Sequence, residues 1–331
     1  MDREIAGRAV VMSDTHFGDG AAVLTRGEVV EAFLRELDGL GEIDLLVLLG
    51  DVWDLWRTRL SAAAAAGAGF FRALAAWGGA KELVLVCGNH DHHVWSFHEE
   101  AWERREAGWE ESGELSLVLG PCRAWEEPVY AVEGLPLWMS YPFLTLRVGM
   151  RSVLLTHGHH LDFFSRSFWW AKTAWLARFI LKGTPGIALS DIDRLNKPFF
   201  ELLACTSRVP EITSWEYRLY GVLRLFARLL RFQTGKGASP RRFTSIEENA
   251  SEVRDLLLHL LPGYIPDLFV FGHTHRAGLG ETGVGSVRVR VANTGCWLDD
   301  GEGGTGMTYL VIDGGVRLRR LGGGEVAREL G

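Results

Sequence analysis

Five short blocks of this chain carry residues able to ligate metals: Asp14-Thr15-His16, Gly50-Asp51-Val52-Trp53-Asp54, Gly88-Asn89-His90-Asp91, His157-Gly158-His159 and Gly272-His273-Thr274-His275. Carboxylate oxygen, amide oxygen and imidazole nitrogen together suit Mn2+, iron or Zn2+, and the blocks contain no thiolate. Any one block could be ordinary loop chemistry. Five of them, each directly after an apolar run, describe one polar cluster at an edge of a sheet. Two divalent ions roughly 3.5–4 Å apart can activate a water and stabilise an in-line displacement at phosphorus, with one carboxylate bridging them. The blocks therefore point to dinuclear-metal hydrolysis.

The apolar runs before the blocks are residues 10–12, 45–49, 83–87, 153–155 and 268–271, each short enough to be a buried strand. Helical patterns fill residues 25–40 and 62–77, so strands and helices alternate and the first three strands should pair in parallel. In such sheets ligands bind beyond the carboxyl ends of the strands, where all five loops would meet. Glycines 50, 88, 158 and 272 permit the backbone angles that turn these loops inward. Capping boxes open helices at Thr25-Arg26-Gly27-Glu28 and Ser245-Ile246-Glu247-Glu248, the latter running to about residue 261. Residues 115–139 hold short strand-like pieces. Near the C-terminus an alternating run over 286–292 precedes a hairpin formed by 308–312 and 316–321.

With 331 residues, 47% hydrophobic and 23% charged, the chain can bury a large core. The net charge of −7 hides an asymmetry. Residues 161–245 hold 14 Lys and Arg against 6 Asp and Glu, a net of +8, so the remainder carries −15. The four cysteines lie far apart and read as reduced core residues. No uncharged apolar run reaches the roughly 18 residues of a membrane span, and the first residues are not a signal region, so a cytoplasmic location is expected. The segment 161–244 is helical in period and rich in aromatics and arginine. It reads as an insertion into a core made of residues 1–160 and 245–331. Within it Phe163, Trp169, Trp170 and Trp175 precede a stripe of Arg224, Arg228 and Arg231, the pattern of basic amphipathic helices. Such a segment could be a self-packed cap, a lid for an amphipathic phosphate substrate, a face for anionic membrane through residues 163–235, or a homodimer interface.

The five blocks, in this order across residues 14–275, resemble the signature of the calcineurin-like metallophosphoesterase superfamily. The resemblance implies an α/β fold, a two-sheet metallophosphoesterase sandwich with flanking helices, here carrying the inserted helical lid. It implies two divalent metal ions, with manganese expected and iron or zinc as alternatives. Carried over motif by motif, Asp14, His16 and His275 hold one metal, Asp51 bridges, and Asn89, His157 and His273 hold the other. His90 becomes the general acid or the transition-state stabiliser and Asp54 orients it, while a hydroxide held between the metals attacks phosphorus. The remaining histidines take plainer roles. His92 and His93 are expected at the surface or beside the ligands, His159 or His160 near substrate, and His98 and His259 at the surface.

The insertion between a His-Gly block and Gly-His-Thr-His is similar in architecture to the UDP-2,3-diacylglucosamine diphosphatase branch, which implies a lipid-linked or nucleotide-linked phosphoester and a peripheral membrane contact. Two positions depart from that branch: His90 stands in place of its arginine, and His159 in place of its common aspartate. The expected activity is thus hydrolysis of a phosphomonoester, phosphodiester or diphosphate. A nuclease or cyclic-nucleotide phosphodiesterase, and a non-catalytic metal-binding scaffold, stay open beside it. The acidic core argues against nucleic acid, and an intact His90–Asp54 pair argues against a scaffold.

Overall fold

The computed structural model describes residues 2–5, 7–106, 130–132, 135–164, 186–206, 246–299 and 306–328. Its first part runs β1 (Asp2–Ile5), β2 (Ala9–Met12), α1 (Gly27–Asp38), β3 (Ile43–Leu48), α2 (Leu60–Trp77), β4 (Ala80–Val86) and α3 (His92–Glu106). Four strands follow: β5 (Tyr130–Val132), β6 (Leu135–Ser140), β7 (Phe143–Val148) and β8 (Arg151–Thr156). Then come α4 (Leu189–Thr206), α5 (Ile246–Leu260), β9 (Leu268–Phe271), β10 (Gly278–Val284), β11 (Val287–Asn293), β12 (Thr308–Ile312), β13 (Val316–Arg320) and β14 (Gly324–Arg328).

The strands form two sheets. One has the order β14-β13-β12-β2-β3-β4-β6-β5, the other β1-β7-β8-β9-β11-β10. The expected parallel pairing of the first three strands holds, with Val10 opposite Leu46 and Leu46 opposite Leu83. In the second sheet β8, β9 and β11 are parallel. The five motif loops therefore leave two sheets rather than one. Three follow β2, β3 and β4, and two follow β8 and β9.

Alternation along the strands explains the layering, because successive side chains point to opposite faces. Val11, Leu45, Val47 and Val84 face inward and meet Leu146, Val153, Leu155 and Val270 of the other sheet. Val10, Met12, Leu46 and Leu48 face outward and are covered by Phe33 and Leu37 of α1 and Phe70, Phe71 and Leu74 of α2. On the far side Leu154, Phe269 and Phe271 are covered by Val253, Leu256 and Leu257 of α5 and Ile192 of α4. The result is a sandwich of two sheets between helical layers. By length and composition α2 could cross a membrane, but here its apolar face is the cover of the first sheet.

Several local expectations are corrected. Thr25 does not cap α1: its hydroxyl donates to the Ala22 carbonyl (2.7 Å) within a 3-10 turn, and Arg26 takes the N-cap position without a side-chain bond. The second capping box begins outside the described residues. Cys87 and Cys296 are buried as expected, whereas Cys205 is exposed on α4; Cys122 lies outside the described residues. His98, expected at the surface, is buried, while His259 is exposed. Of the segment 161–244, read from the sequence as an insertion, residues 161–164 and 186–206 are described; most of its aromatic and arginine-rich pattern lies outside the described residues.

Candidate metal centre

The loops reach one another through unusual backbone. Asp14, His16, Asp51, His273 and His275 all have positive φ, from 48° to 63°. That left-handed region costs energy for side chains other than glycine, and such residues gather at functional sites. Backbone bonds hold the loops in place: Asp14 N–H donates to Gly50 O (3.0 Å), His16 N–H to Asp51 O (2.9 Å) and Gly272 N–H to His157 O (2.9 Å). Gly50 and Gly158 turn the chain at φ of 82° and 109°, as the sequence implied. Gly88 and Gly272 serve a different need, which is room. A β-carbon at Gly88 would overlap the Asp51 carboxylate, and one at Gly272 would overlap Ser13 Oγ and Asp14 Oδ2.

The side chains converge in two sets. Asp14, His16 and His275 form one, and Asp51, His157 and His273 the other, with ligand atoms within 4.8 Å of one another in each. In the first, His275 Nε2 lies 3.1 Å from Asp14 Oδ1, and His16 Nε2 lies 3.2 Å from His275 Nε2. In the second, His157 Nε2 lies 3.3 Å from Asp51 Oδ2 and 3.2 Å from Asn89 Oδ1. Asp51 Oδ2 is also 3.7 Å from His16 Nε2, so this oxygen stands between the sets.

Neighbouring acceptors aim the rings. His157 Nδ1–H donates to Leu49 O (2.9 Å), and His273 Nε2–H donates to Asp162 Oδ2 (3.3 Å). His157 therefore keeps its Nε2 for the cluster, beside Asp51 and Asn89, as ligating histidines do. Asp54 serves two rings at once. His90 Nδ1–H donates to its Oδ1 (2.8 Å), and His16 Nδ1 lies 3.3 Å from its Oδ2.

The residues fit a pair of divalent cations. Asp14 Oδ1 is fully buried and receives no hydrogen bond. The two facing Nε2 atoms of His16 and His275 cannot both be donors without repelling. Electrostatics agree. Burial would raise the Asp14 and Asp51 carboxyls, yet the surrounding imidazoles hold both well below the usual carboxylate range. Burial would lower His16 and His157, yet Asp14, Asp54 and Asp51 push His16 up to about 10, and Asp51 and Asp14 push His157 up to about 9. Positive charge is stabilised at this spot, and a metal supplies it without protons.

Three further features had little or no signal in the sequence. Asp91, whose block was noted but given no role, is fully buried and accepts from Val52 N–H (2.7 Å) and Gly88 N–H (2.6 Å). Burial and the Asp51 charge push its carboxyl up to about 6. Trp56 stacks on His90 with ring centroids 4.0 Å apart and packs against Phe199 and Phe200 of α4. His92 and His93, expected at the surface or beside the ligands, face Glu201 of α4, the former buried and the latter half-buried.

A family model described as calcineurin-like phosphoesterase matches residues 7–201, more than half of the chain. No curated protein sequence matches. Among solved structures, a dimetal phosphatase from Danio rerio is 12% identical, covering 97% of this chain and 96% of its own, with a TM-score of 0.40. A cold-active protein-tyrosine phosphatase of a psychrophilic Shewanella species is 14% identical, covering 99% and 81%, with a TM-score of 0.37. A metallophosphoesterase from Sphaerobacter thermophilus is 14% identical, covering 98% and 90%, with a TM-score of 0.33. Likenesses this distant carry no conclusion about substrate. The family match and the two Asp/His sets that fit a divalent pair agree on one reading: this chain belongs to the calcineurin-like phosphoesterase family, as a metal-dependent hydrolase of phosphoric esters.

Proposed function

We propose that this chain hydrolyses a phosphoester or diphosphate whose leaving group is bulky and apolar or base-bearing, such as a lipid-linked or nucleotide-linked phosphate. The observation that carries the reading is His90, half-buried, bonded to Asp54 and stacked on Trp56, standing beside the ring of His16 with centroids 4.9 Å apart. Asp14, His16 and His275 would hold one cation, Asn89, His157 and His273 the second, with Asp51 shared between them. Manganese is the expected metal, with iron or zinc as alternatives. When bound, the pair supplies an activated water and neutralises charge on the phosphoryl oxygens. Asp54 occupies His90 Nδ1, so Nε2 is left to meet the substrate. His90 would hand a proton to the departing oxygen as its bond to phosphorus breaks, while the water entering from the opposite side releases one proton to solvent, from which His90 is reprotonated. Trp56, stacked on His90 and met edge-on by Phe199, is half-buried and offers an apolar surface beside the proton donor, which supports the bulky substrate class. A peripheral membrane contact through residues 163–235 and a cytoplasmic location belong to the same proposal.

A phosphoester panel in Mn2+ tests it: p-nitrophenyl phosphate, its bis ester, cyclic nucleotides, lipid phosphates and UDP-2,3-diacylglucosamine. Turnover should be highest on the lipid- or nucleotide-linked esters and be lost in Asp51→Asn. His90→Ala should lower kcat by about 10²–10⁴-fold, the usual contribution of a general acid. Full turnover by Asp51→Asn would refute the mechanism. A preference for small monoesters would refute the substrate class alone.

A further inference from the structure

A second polar cluster lies beside the candidate centre and shares no residue with it. His159 and His160 sit in the 3-10 turn His159–Phe163 after β8, and Asp193 projects from α4. One ligand atom from each lies within 4.8 Å of the others. Both imidazoles are buried, 1% and 0% exposed, and their ring centroids are 3.9 Å apart. His160 Nε2–H donates to Asp193 Oδ1, and the Tyr141 hydroxyl donates to the same oxygen (2.9 Å) while lying 3.4 Å from His159 Nε2. Each imidazole also keeps a buried Nδ1 with no hydrogen-bond partner. Protein contacts alone therefore leave both rings under-used, at a place where unsatisfied polar atoms are costly.

We propose that His159, His160 and Asp193 form a third cation site, selective for zinc, that fastens α4 to the turn following β8. Two imidazoles and one carboxylate are the ligand set of a three-coordinate protein site that leaves a fourth position open, and two nitrogen donors favour zinc over magnesium or calcium. Tyr141 acts one step back, orienting the Asp193 carboxylate. The hydrogen bond from His160 to Asp193 would give way as the ring turns a lone pair to the metal, which needs only a change of tautomer and no net proton transfer. The site is near the other centre but distinct from it: the His159 ring is 5.7 Å from that of His157 and 6.4 Å from that of His273. Its role would be to position α4, which carries Phe199 and Phe200, over His90.

The test is metal content together with anomalous scattering at the zinc edge, on full-length protein equilibrated with zinc and gel-filtered. The expected result is an anomalous peak between His159, His160 and Asp193, separate from those at the Asp51 centre. Asp193→Asn and His159→Gln should each bind one zinc per chain fewer, with the peaks at the Asp51 centre retained and hydrogen exchange of residues 189–206 faster. Absence of a peak at this position, whatever the occupancy of the Asp51 centre, would overturn the proposal. So would an unchanged zinc content in both variants.

Discussion

At the scale of single residues, Asp54 has the most concentrated role. One carboxylate faces both the His90 imidazole and the His16 imidazole, one oxygen for each. Burial would raise its carboxyl, yet His90 and His16 hold it well below the ordinary range, so it stays ionised beside both rings. Asp54→Asn is isosteric but can accept at only one oxygen, so one ring must lose its acceptor. Carboxylates that orient metal-bound histidines typically contribute 10- to 100-fold to affinity or activity. Asp54→Asn should therefore lower both kcat and the affinity of the Asp14–His16–His275 set by roughly that factor. Steady-state kinetics with a metal titration would check it. An unchanged metal affinity with reduced kcat would limit the role of Asp54 to His90.

At the scale of elements, two contacts decide how the loops and α4 are held. Asp91 ties the loop after β3 to the loop after β4 by accepting Val52 N–H and Gly88 N–H. Asp91→Ala leaves two buried donors without acceptors, at about 1–3 kcal/mol each. Urea denaturation should show a loss of that order, and Asp91→Asn a smaller one. The second contact joins α4 to α3. Glu201 meets His92 and His93, and Lys197 donates to Glu99 (2.6 Å). Burial would raise the Glu201 carboxyl, but its bonds to His92, His93 and Ser96 lower it further than burial raises it. A carboxyl depressed in the folded state contributes its stabilisation fully above its ordinary value near 4.5 and loses it as the pH falls below that. Hydrogen exchange of residues 189–206 should accelerate as the pH drops through that region, ahead of the strands. Equal acceleration of β2 and β3 would point to global unfolding instead.

At the scale of the whole molecule, the candidate centre is built where two sheets end together. Loops after β2, β3 and β4 supply Asp14, His16, Asp51 and Asn89, while loops after β8 and β9 supply His157, His273 and His275. Cations held there would link one sheet to the other and relieve the repulsion between buried carboxylates. A ligand that binds only the folded state stabilises it by about 4 kcal/mol at a thousandfold excess over Kd. Removing metal with a chelator should thus lower Tm, and restoring Mn2+ should recover it. A Tm indifferent to both would mean that the cluster binds no cation tightly.

Much of this architecture was readable in the chain. The runs over 10–12, 45–49, 83–87, 153–155 and 268–271 are short, apolar and followed by polar blocks, and all became strands within a residue or a few. The parallel order of the first three strands and the convergence of the ligand-type residues came from the same local pattern. What the sequence lacked was relation across distance. That the loops belong to two sheets depends on β8 and β9 pairing with β7 and β11, which no local periodicity reveals. Trp56 on His90, Asp162 on His273, and the meeting of His159, His160 and Asp193 join residues far apart in the chain or hidden among other polar positions. Thr25 looked like a cap and was used by the preceding turn instead. Residue types and short spacings determine which atoms can bind a cation and which strands can bury themselves. Packing of one sheet on another decides which of those atoms meet, because contacts between distant segments form only when both faces leave water together.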